Sequence, residues 1–373
     1  MSPATIDQLL AGVTGLTWQS LVMFAVAGVL LYLAIVREYE PLLLLPIAAG
    51  CLLANLPLSP VIGEEGLLTI LYDAGIENEL FPLLIFIGIG AMTDFGPLLE
   101  NPRMILLGAA GQLGIFGVLL LALVLGFSRE EAASIGIIGA IDGPTSIYVS
   151  GILAPHLLGP ITVAAYSYMA LVPVIMPPVM RALTSPEERR IRMPYGGRAV
   201  SRRTRILFPI GVTLLVGTLV PFATPLVGSL MLGNLMRESG VVERLTKMSS
   251  NELANIVTLF LGLAIGSTMV GEQFLKESTL AILGLGILAF ALDTAAGLVF
   301  AKGLNRLAGG TFNPLIGAAG ISAFPMAARV VQRVAQEEDF ESYPLMHAMG
   351  ANAAGQVASV VAGGVLLALM AAA

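Results

Sequence analysis

The sequence predicts an all-α membrane protein, a polytopic helical bundle of two related, inverted repeats that carry interrupted or re-entrant helices. Three observations predict it: long blocks without charge, one strongly basic segment that halves the chain, and two broken apolar segments at matching places in the halves. Of 373 residues, 56% are hydrophobic and only 12% charged, about half the charged fraction of an ordinary soluble domain. No Asp, Glu, Lys or Arg occurs in 8–36, 41–63, 104–128, 143–180, 206–236, 253–271, 307–328 or 343–373. Each block reaches the ~18 residues that a helix needs to cross hydrocarbon. A soluble protein of this length would need a charged surface and would not yield such blocks.

The elements follow in chain order. The start, MSPATIDQLLAGVTGLTWQS, has no basic leader and no small-residue cleavage site after a short apolar core, so it reads as a mature start. The first membrane helix is expected at about Leu21 to Val36. Residues 64–80 carry Glu64, Glu65, Asp73, Glu77 and Glu79 without a Lys or Arg and are expected as an outer loop. Between Ser185 and Arg205 lie Arg189, Arg190, Arg192, Arg198, Arg202, Arg203 and Arg205 against Glu187 and Glu188 alone, which places that loop in the cytoplasm. The chain divides into a first membrane half, 1–184, this basic loop, 185–205, and a second membrane half, 206–373. The single cysteine, Cys51, lies in an apolar block, which leaves no disulfide framework and no thiol metal cluster.

Counting crossings from these anchors leaves one too many before the basic loop. A first helix running inward, 42–58 outward, 81–95 inward and 104–128 outward put 132–154 and 157–181 on a path that must end inside. Two full crossings would end outside. The parity is repaired if 132–154 enters, breaks and leaves on the same side. Its sequence, IGIIGAIDGPTSIYVSGILAP, sets Asp142, Gly143 and Pro144 mid-segment. Proline removes a donor and disfavours helix before it, and glycine weakens the helix further. Unwound backbone at membrane depth is tolerated where protein or a wet cavity satisfies it.

The second half holds a similar interruption, NPLIGAAGISAFPMAAR from Asn313 to Arg329. Ile138-Gly139-Ala140 before Pro144 resembles Ile316-Gly317-Ala318 before Pro325. Each is followed by a helix with polar residues, AYSYMALVP from Ala165 and MHAMGANAAG from Met346. Paired interruptions of this kind point to a transporter-like bundle with its site at the midplane between the repeats.

Ionisable groups in hydrocarbon ask for a reason. Asp142 can cap the helix half that follows it, and beside unwound carbonyls it can also form an oxygen cage for a hard cation. Asn313, Ser322 and Asn352 are neutral oxygen donors near the breaks, each alone a packing residue and together with Asp142 a cation site. Tyr166 and Tyr168 place phenols at depth, where each is a ligand, a proton donor or an interface anchor. Arg329 ends the second broken segment with a fork that suits a carboxylate, whether of a substrate or of a structural partner. Asp293, Glu79 and Asp94 are expected near helix ends, solvated or snorkelled. His347 reads as a packed, hydrogen-bonded histidine. There is no Walker loop and no zinc-ligand spacing, so the driving energy must come from an ion gradient or a partner.

TWQSLVMF, REYEPLLLLPI, IDGPTSIYVSG, AYSYMALVP, NPLIGAAGISAFPMAARV and LMHAMGANAAG together resemble the membrane-embedded beta subunit of biotin-dependent sodium-pumping decarboxylases, which include the oxaloacetate, methylmalonyl-CoA and glutaconyl-CoA enzymes. The likeness covers nearly the whole chain. It implies a decarboxylase subunit that acts on carboxybiotin, exports Na⁺ and consumes an external proton. By the same resemblance Asp142, Tyr168 and Arg329 are catalytic, Arg329 and Asn352 hold the biotin group, and Asp142, Asn313, Gly317, Ser322 and Asn352 bind Na⁺. Gly317 is added by the resemblance alone, with close backbone approach as its physical reason. The carboxybiotin comes from a separate carrier, since Lys247-Met248 lacks the small residue and methionine expected before an attachment lysine. The implied partners are that biotin carrier with its carboxyltransferase subunit, a small membrane gamma-type subunit and the lipid bilayer, with room for a homo-oligomer and no nucleic acid. The implied location is a bacterial or archaeal cytoplasmic (inner) membrane. The rival expectations are a secondary sodium symporter or sodium/proton antiporter, and a channel or structural subunit without chemistry.

Overall fold

A computed structural model describes residues 12–63, 65–194, 196 and 200–372. The start at 1–11, Glu64 of the acidic segment and Arg198 of the basic loop lie outside the described residues. Helix is the only regular structure among the described residues. Five helices are long and apolar enough to cross a membrane, or up to seven if each of two bent pairs is one span.

Helix α1, Trp18–Ile35, is started by Thr17, whose hydroxyl accepts from the Ser20 amide at 3.1 Å. A turn leads to α2, Pro41–Ala54, with proline in its first turn, where the missing donor costs nothing. The acidic segment is not a loop. Leu67–Tyr72 is helical and runs through a π-turn, Asp73–Glu77, into α3, Leu80–Met92. The two parts meet at 63°, where Glu79 takes a left-handed conformation (φ 63°). The apolar run from Leu67 outweighs its acidic flanks. A second unforeseen break divides the span Met104–Val124 into α4, Met104–Ala110, and α5, Leu113–Val124. At that break Gln112 donates its side-chain amide to the carbonyls of Gly108 and Gly320, each at 3.2 Å.

The segment expected to turn back does so. Helix α6, Arg129–Gly136, passes through a 3₁₀ turn, Ile137–Ala140, into α7, Gly143–Leu153. Its two ends meet: Glu131 at the start lies 2.9 Å from the imidazole of His156 just past the end. The hydrogen bond from His156 holds the Glu131 carboxyl below the usual carboxylate range. Helix α8, Leu158–Leu183, carries Pro173, Pro177 and Pro178 and bends by 67° around Ala170, as the Pro173 ring clashes with the carbonyl four residues back.

In the second half come α9, Arg202–Leu219, α10, Thr224–Ser239, α11, Ala254–Ser267, and α12, Glu277–Leu307. Lys247, expected in a loop, lies on a short helix before α11 and pairs with Glu243 at 2.7 Å. The second broken segment opens with a 3₁₀ run, Pro314–Gly320, continues unwound to Pro325 and closes with α13, Met326–Glu338, before α14, Leu345–Ala371. It too doubles back. The Asn313 amide donates to the carbonyls of Arg189 (3.1 Å) and Ile191 (2.9 Å). Arg189, itself buried, pairs with Glu338 at the other end at 2.5 Å.

The basic loop is therefore a clamp as well as a connection. Arg181 pairs with Glu337 (2.5 Å), Arg190 with Glu338 (3.8 Å) and Arg192 with Asp339 (2.5 Å). Helix α12 fixes the two hairpins relative to each other. Its start adjoins the first hairpin's base, where Lys276 and Thr279 share a cleft with Glu131 and His156. Its far end adjoins the second base, where the Lys302 ammonium donates to the Leu183 carbonyl (2.9 Å) and pairs with Glu188 (3.2 Å). With 31 residues α12 is about 46 Å long, so the hairpins enter from opposite ends and meet between.

Candidate functional site

The hairpins meet tip to tip. The Ser322 amide donates to the Ala140 carbonyl at 3.1 Å, which joins the two unwound segments. Asp142 caps α7 as its sequence suggests, with Oδ1 accepting from the Thr145 amide at 3.2 Å. The preceding residue, Ile141, is left-handed (φ 51°, ψ 46°). A β-branched residue there costs about 1–3 kcal/mol and marks functional tips. Gly143 leaves room for Tyr166, since a Cβ at that position would run into the tyrosine ring.

Asp142 is 2% exposed. Its Oδ2 accepts from Ser359 Oγ (2.7 Å), Ser322 Oγ (3.0 Å) and Gln356 Nε2 (3.5 Å). Asn352 donates its amide to the Ile321 carbonyl at 2.6 Å, one residue before Ser322. That leaves Asn352 Oδ1 buried without a hydrogen-bond partner among the described residues. An orphan buried oxygen is costly unless something fills it, and a small cation beside a carboxylate is a filling of the right charge. Asp142, Ser322 and Gln356 open onto a cavity of about 470 Å³ that also reaches Thr93, Tyr166 and Glu40.

Of the residues read from the sequence, Asp142, Ser322 and Asn352 come together. The others support or surround them. Asn313 is buried at the base of its hairpin, where Oδ1 accepts from the Leu315 amide at 3.0 Å and its amide is held by the clamp. Gly317 packs backbone to backbone against Gly297 of α12: a Cβ on either would overlap the other's carbonyl. Tyr168 donates its hydroxyl to the Leu283 carbonyl at 2.5 Å, against α12 and away from the Asp142 cavity. Arg329 is exposed on α13 and has no hydrogen-bond or ion-pair partner among the described residues, so its fork is free for an anion. Asp94 stands at a helix end as expected, 3.5 Å from Arg237.

Asp293 does not. It is fully buried within α12, its Oδ1 accepts from the Gly114 amide at the start of α5, and its Oδ2 has no partner among the described residues. A Cβ at Gly139 would touch that oxygen at 2.5 Å, so a second carboxyl backs the first hairpin from behind.

Gln356 and Ser359 complete the ring around Asp142 and lie outside the residues expected from the sequence, although the sequence carries a signal for them. Asn352, Gln356 and Ser359 recur at spacings of four and three on α14, one polar stripe along a helix that is otherwise apolar beyond His347. On a bilayer-crossing helix such a stripe faces protein.

A polytopic bundle whose two doubled-back segments meet over a buried carboxylate ringed by neutral oxygens is the build of a membrane protein that moves ions. The chain belongs to the family described as the Na⁺-transporting oxaloacetate decarboxylase beta subunit, whose model matches residues 19–370. It is 53% identical to the methylmalonyl-CoA decarboxylase subunit beta of Propionigenium modestum, over 96% of both chains. It is 51% identical to the glutaconyl-CoA decarboxylase subunit beta of Acidaminococcus fermentans, over 96% of both. It is 48% identical to the oxaloacetate decarboxylase beta chain of Klebsiella pneumoniae, over 93% of this chain and 94% of that one. The membrane subunit of a sodium-transporting decarboxylase is thus the reading supported, rather than a free-standing secondary transporter.

Proposed function

We propose that this subunit decarboxylates carboxybiotin and couples that step to Na⁺ export across a bacterial or archaeal cytoplasmic membrane, consuming a proton from outside. The observation that carries the reading is Asp142: one buried carboxylate, at the meeting point of two segments that enter from opposite ends of α12. Entry from opposite ends also supports two inverted repeats, and the clamped arginines support a cytoplasmic face at 185–205. Sodium is the cargo. Asp142 supplies the charge, and Ser322, Ser359 and the orphan oxygen of Asn352 supply neutral donors of the kind a hard cation takes. Asn313 and Gly317 act in this scheme by seating the second hairpin.

Arg329 holds the carboxylate of carboxybiotin, presented by a separate biotin carrier with its carboxyltransferase subunit and a small gamma-type membrane subunit. Loss of CO₂ breaks the N–C bond and leaves its electron pair on the ureido nitrogen, which takes up a proton. A proton and Na⁺ compete for the Asp142 carboxylate, so protonation from outside, with Tyr168 on that route, releases the ion. In inverted vesicles holding the complete complex, adding the acid substrate should drive uptake of radioactive sodium, and avidin should stop it. Uptake that follows only an imposed ion gradient and ignores avidin would sink the decarboxylase reading.

Ser359→Ala tests the oxygen shell. It removes a 2.7 Å hydrogen bond to a buried carboxylate, worth about 1.5–3 kcal/mol. Half-saturating Na⁺ for decarboxylation is expected to change by roughly ten-fold or more at 1.4 kcal/mol per decade. An unchanged sodium dependence would remove Ser359 from the site.

A further inference from the structure

The cavity on Asp142 holds a second carboxylate. Glu40 sits in the turn between α1 and α2, left-handed at φ 38° and ψ 55°, a conformation that costs a non-glycine residue about 1–3 kcal/mol. Its backbone carbonyl accepts from the amides of Leu43 (3.1 Å) and Leu44 (3.0 Å) and so begins α2. Its side chain is half-buried, has no hydrogen-bond or ion-pair partner among the described residues, and lines the same cavity of about 470 Å³ as Asp142, Ser322 and Gln356. Tyr166, in the cavity wall, lies within electrostatic reach of both carboxylates. No Lys or Arg lines this cavity among the described residues. Two ionised carboxylates sharing a low-dielectric space without a cationic side chain leave it negative, and a cation from solution, Na⁺ or a competing proton, balances it.

The position of Glu40 gives that cavity a direction. Gln19 at the start of α1 adjoins Gly271, and Asn55 past the end of α2 donates to the Met269 carbonyl (2.7 Å) and accepts from the Gly271 amide (3.0 Å). The 269–276 turn shares the cleft of Glu131 and His156, so these ends lie at the base of the first hairpin. The Glu40 turn is at the other end of α1, about 27 Å away, on the side of the arginine clamp. Thr93, also in the cavity wall, adjoins Asp94, which lies 3.9 Å from Arg205 at the end of the basic segment.

We propose that Glu40 is the cation-capture residue at the arginine-side mouth of the Asp142 cavity, concentrating Na⁺ there and passing it inward to Asp142. This rests on the reading of Asp142 as the sodium site. A fixed negative charge at the mouth of a cleft raises local cation concentration and speeds arrival. The unpaired, half-buried carboxylate is what such a function needs, because an ion pair at that place would cancel its field.

The test uses the complete complex, with decarboxylation and sodium uptake measured over a range of Na⁺ at constant ionic strength. Glu40→Gln is expected to raise half-saturating Na⁺ roughly ten-fold, with the loss recovered at high Na⁺. Glu38→Gln, exposed in the same turn and outside the cavity, is expected to leave the sodium dependence unchanged. If Glu40→Gln keeps the unaltered half-saturation while Asp142→Asn loses activity, the capture function is overturned and the sodium site stands. If Asp142→Asn also keeps its sodium dependence, the reading of the site fails and the Glu40 proposal falls with it. Should Glu40→Gln fail to accumulate, the unaltered complex decides. Its half-saturating Na⁺ should rise with added choline chloride, which screens the mouth, and a flat response overturns the proposal.

Discussion

Asp142→Asn is expected to abolish sodium transport and sodium-dependent decarboxylation together while the protein still folds and assembles. Asparagine is as good a helix N-cap as aspartate, so its oxygen can keep the bond from the Thr145 amide that starts α7. What it loses is the charge. Ser322 and Ser359 then donate to a neutral group, or meet an amide that is itself a donor, and each charge-assisted bond is worth about 1.5–3 kcal/mol. Two such losses correspond to at least about a hundred-fold at 1.4 kcal/mol per decade, before the missing attraction for the ion is counted. The check is a paired measurement of CO₂ release and sodium uptake, with complex assembly followed by gel filtration. Retained sodium-stimulated CO₂ release would show that Asp142 is a cap and nothing more.

Gly317→Val should be comparably damaging through a different physical cause. The Gly297 and Gly317 backbones touch, and a Cβ on either overlaps the other's carbonyl. Overpacking of this kind costs about 1–3 kcal/mol in well-packed interiors, and here both neighbours are backbone and cannot yield. The second hairpin must lift off α12, carrying Ser322 away from Asp142, and a misplacement of about 1 Å at a reacting site can cost roughly a hundred-fold. Lower thermal stability in detergent together with lost turnover is the expected result. Gly284→Val on the same helix is the control, because a Cβ there meets nothing within 4 Å. Equal behaviour of the two variants would mean that the Gly297–Gly317 contact does not hold the hairpin.

The broken segments were legible because glycine and proline interrupt helix for local reasons, and charge parity required one segment to turn back. Asp142 and Ser322 were legible for the same reason, as polar groups at those breaks. Asn313 was found, but its partners were not: the carbonyls of Arg189 and Ile191 lie more than 120 residues away in a segment that reads as a linker. A charge in an apolar run reads as a helix end, and Asp293 departs from that expectation. The 31-residue helix α12 instead runs past Asp293 and Lys302, binding one through the Gly114 amide and the other through Leu183 and Glu188. The interruption at Gly111 and Gln112 had no proline to announce it, and it follows from the approach of Gly320, whose carbonyl a Cβ on Gly111 would meet at 2.6 Å. Each of these three misses is a contact between distant parts of the chain, whereas the helix at Leu67–Tyr72 and the polar stripe of α14 follow from local sequence.

The tip-to-tip meeting of the hairpins also has an electrical consequence. Filled with water, the cavity that reaches from the Glu40 turn to Asp142 would thin the insulating layer of the membrane locally, so that the transmembrane voltage falls over the short stretch of dry protein that remains. A charge that moves a few ångströms past the joined tips then crosses a disproportionate share of that voltage, whose full drop is about 2.3 kcal/mol per elementary charge at ~100 mV. With Asp142 as the proposed sodium site, the work of expelling the cation against the membrane potential is concentrated in one small displacement there, and the rate of pumping should fall steeply as an opposing voltage is applied.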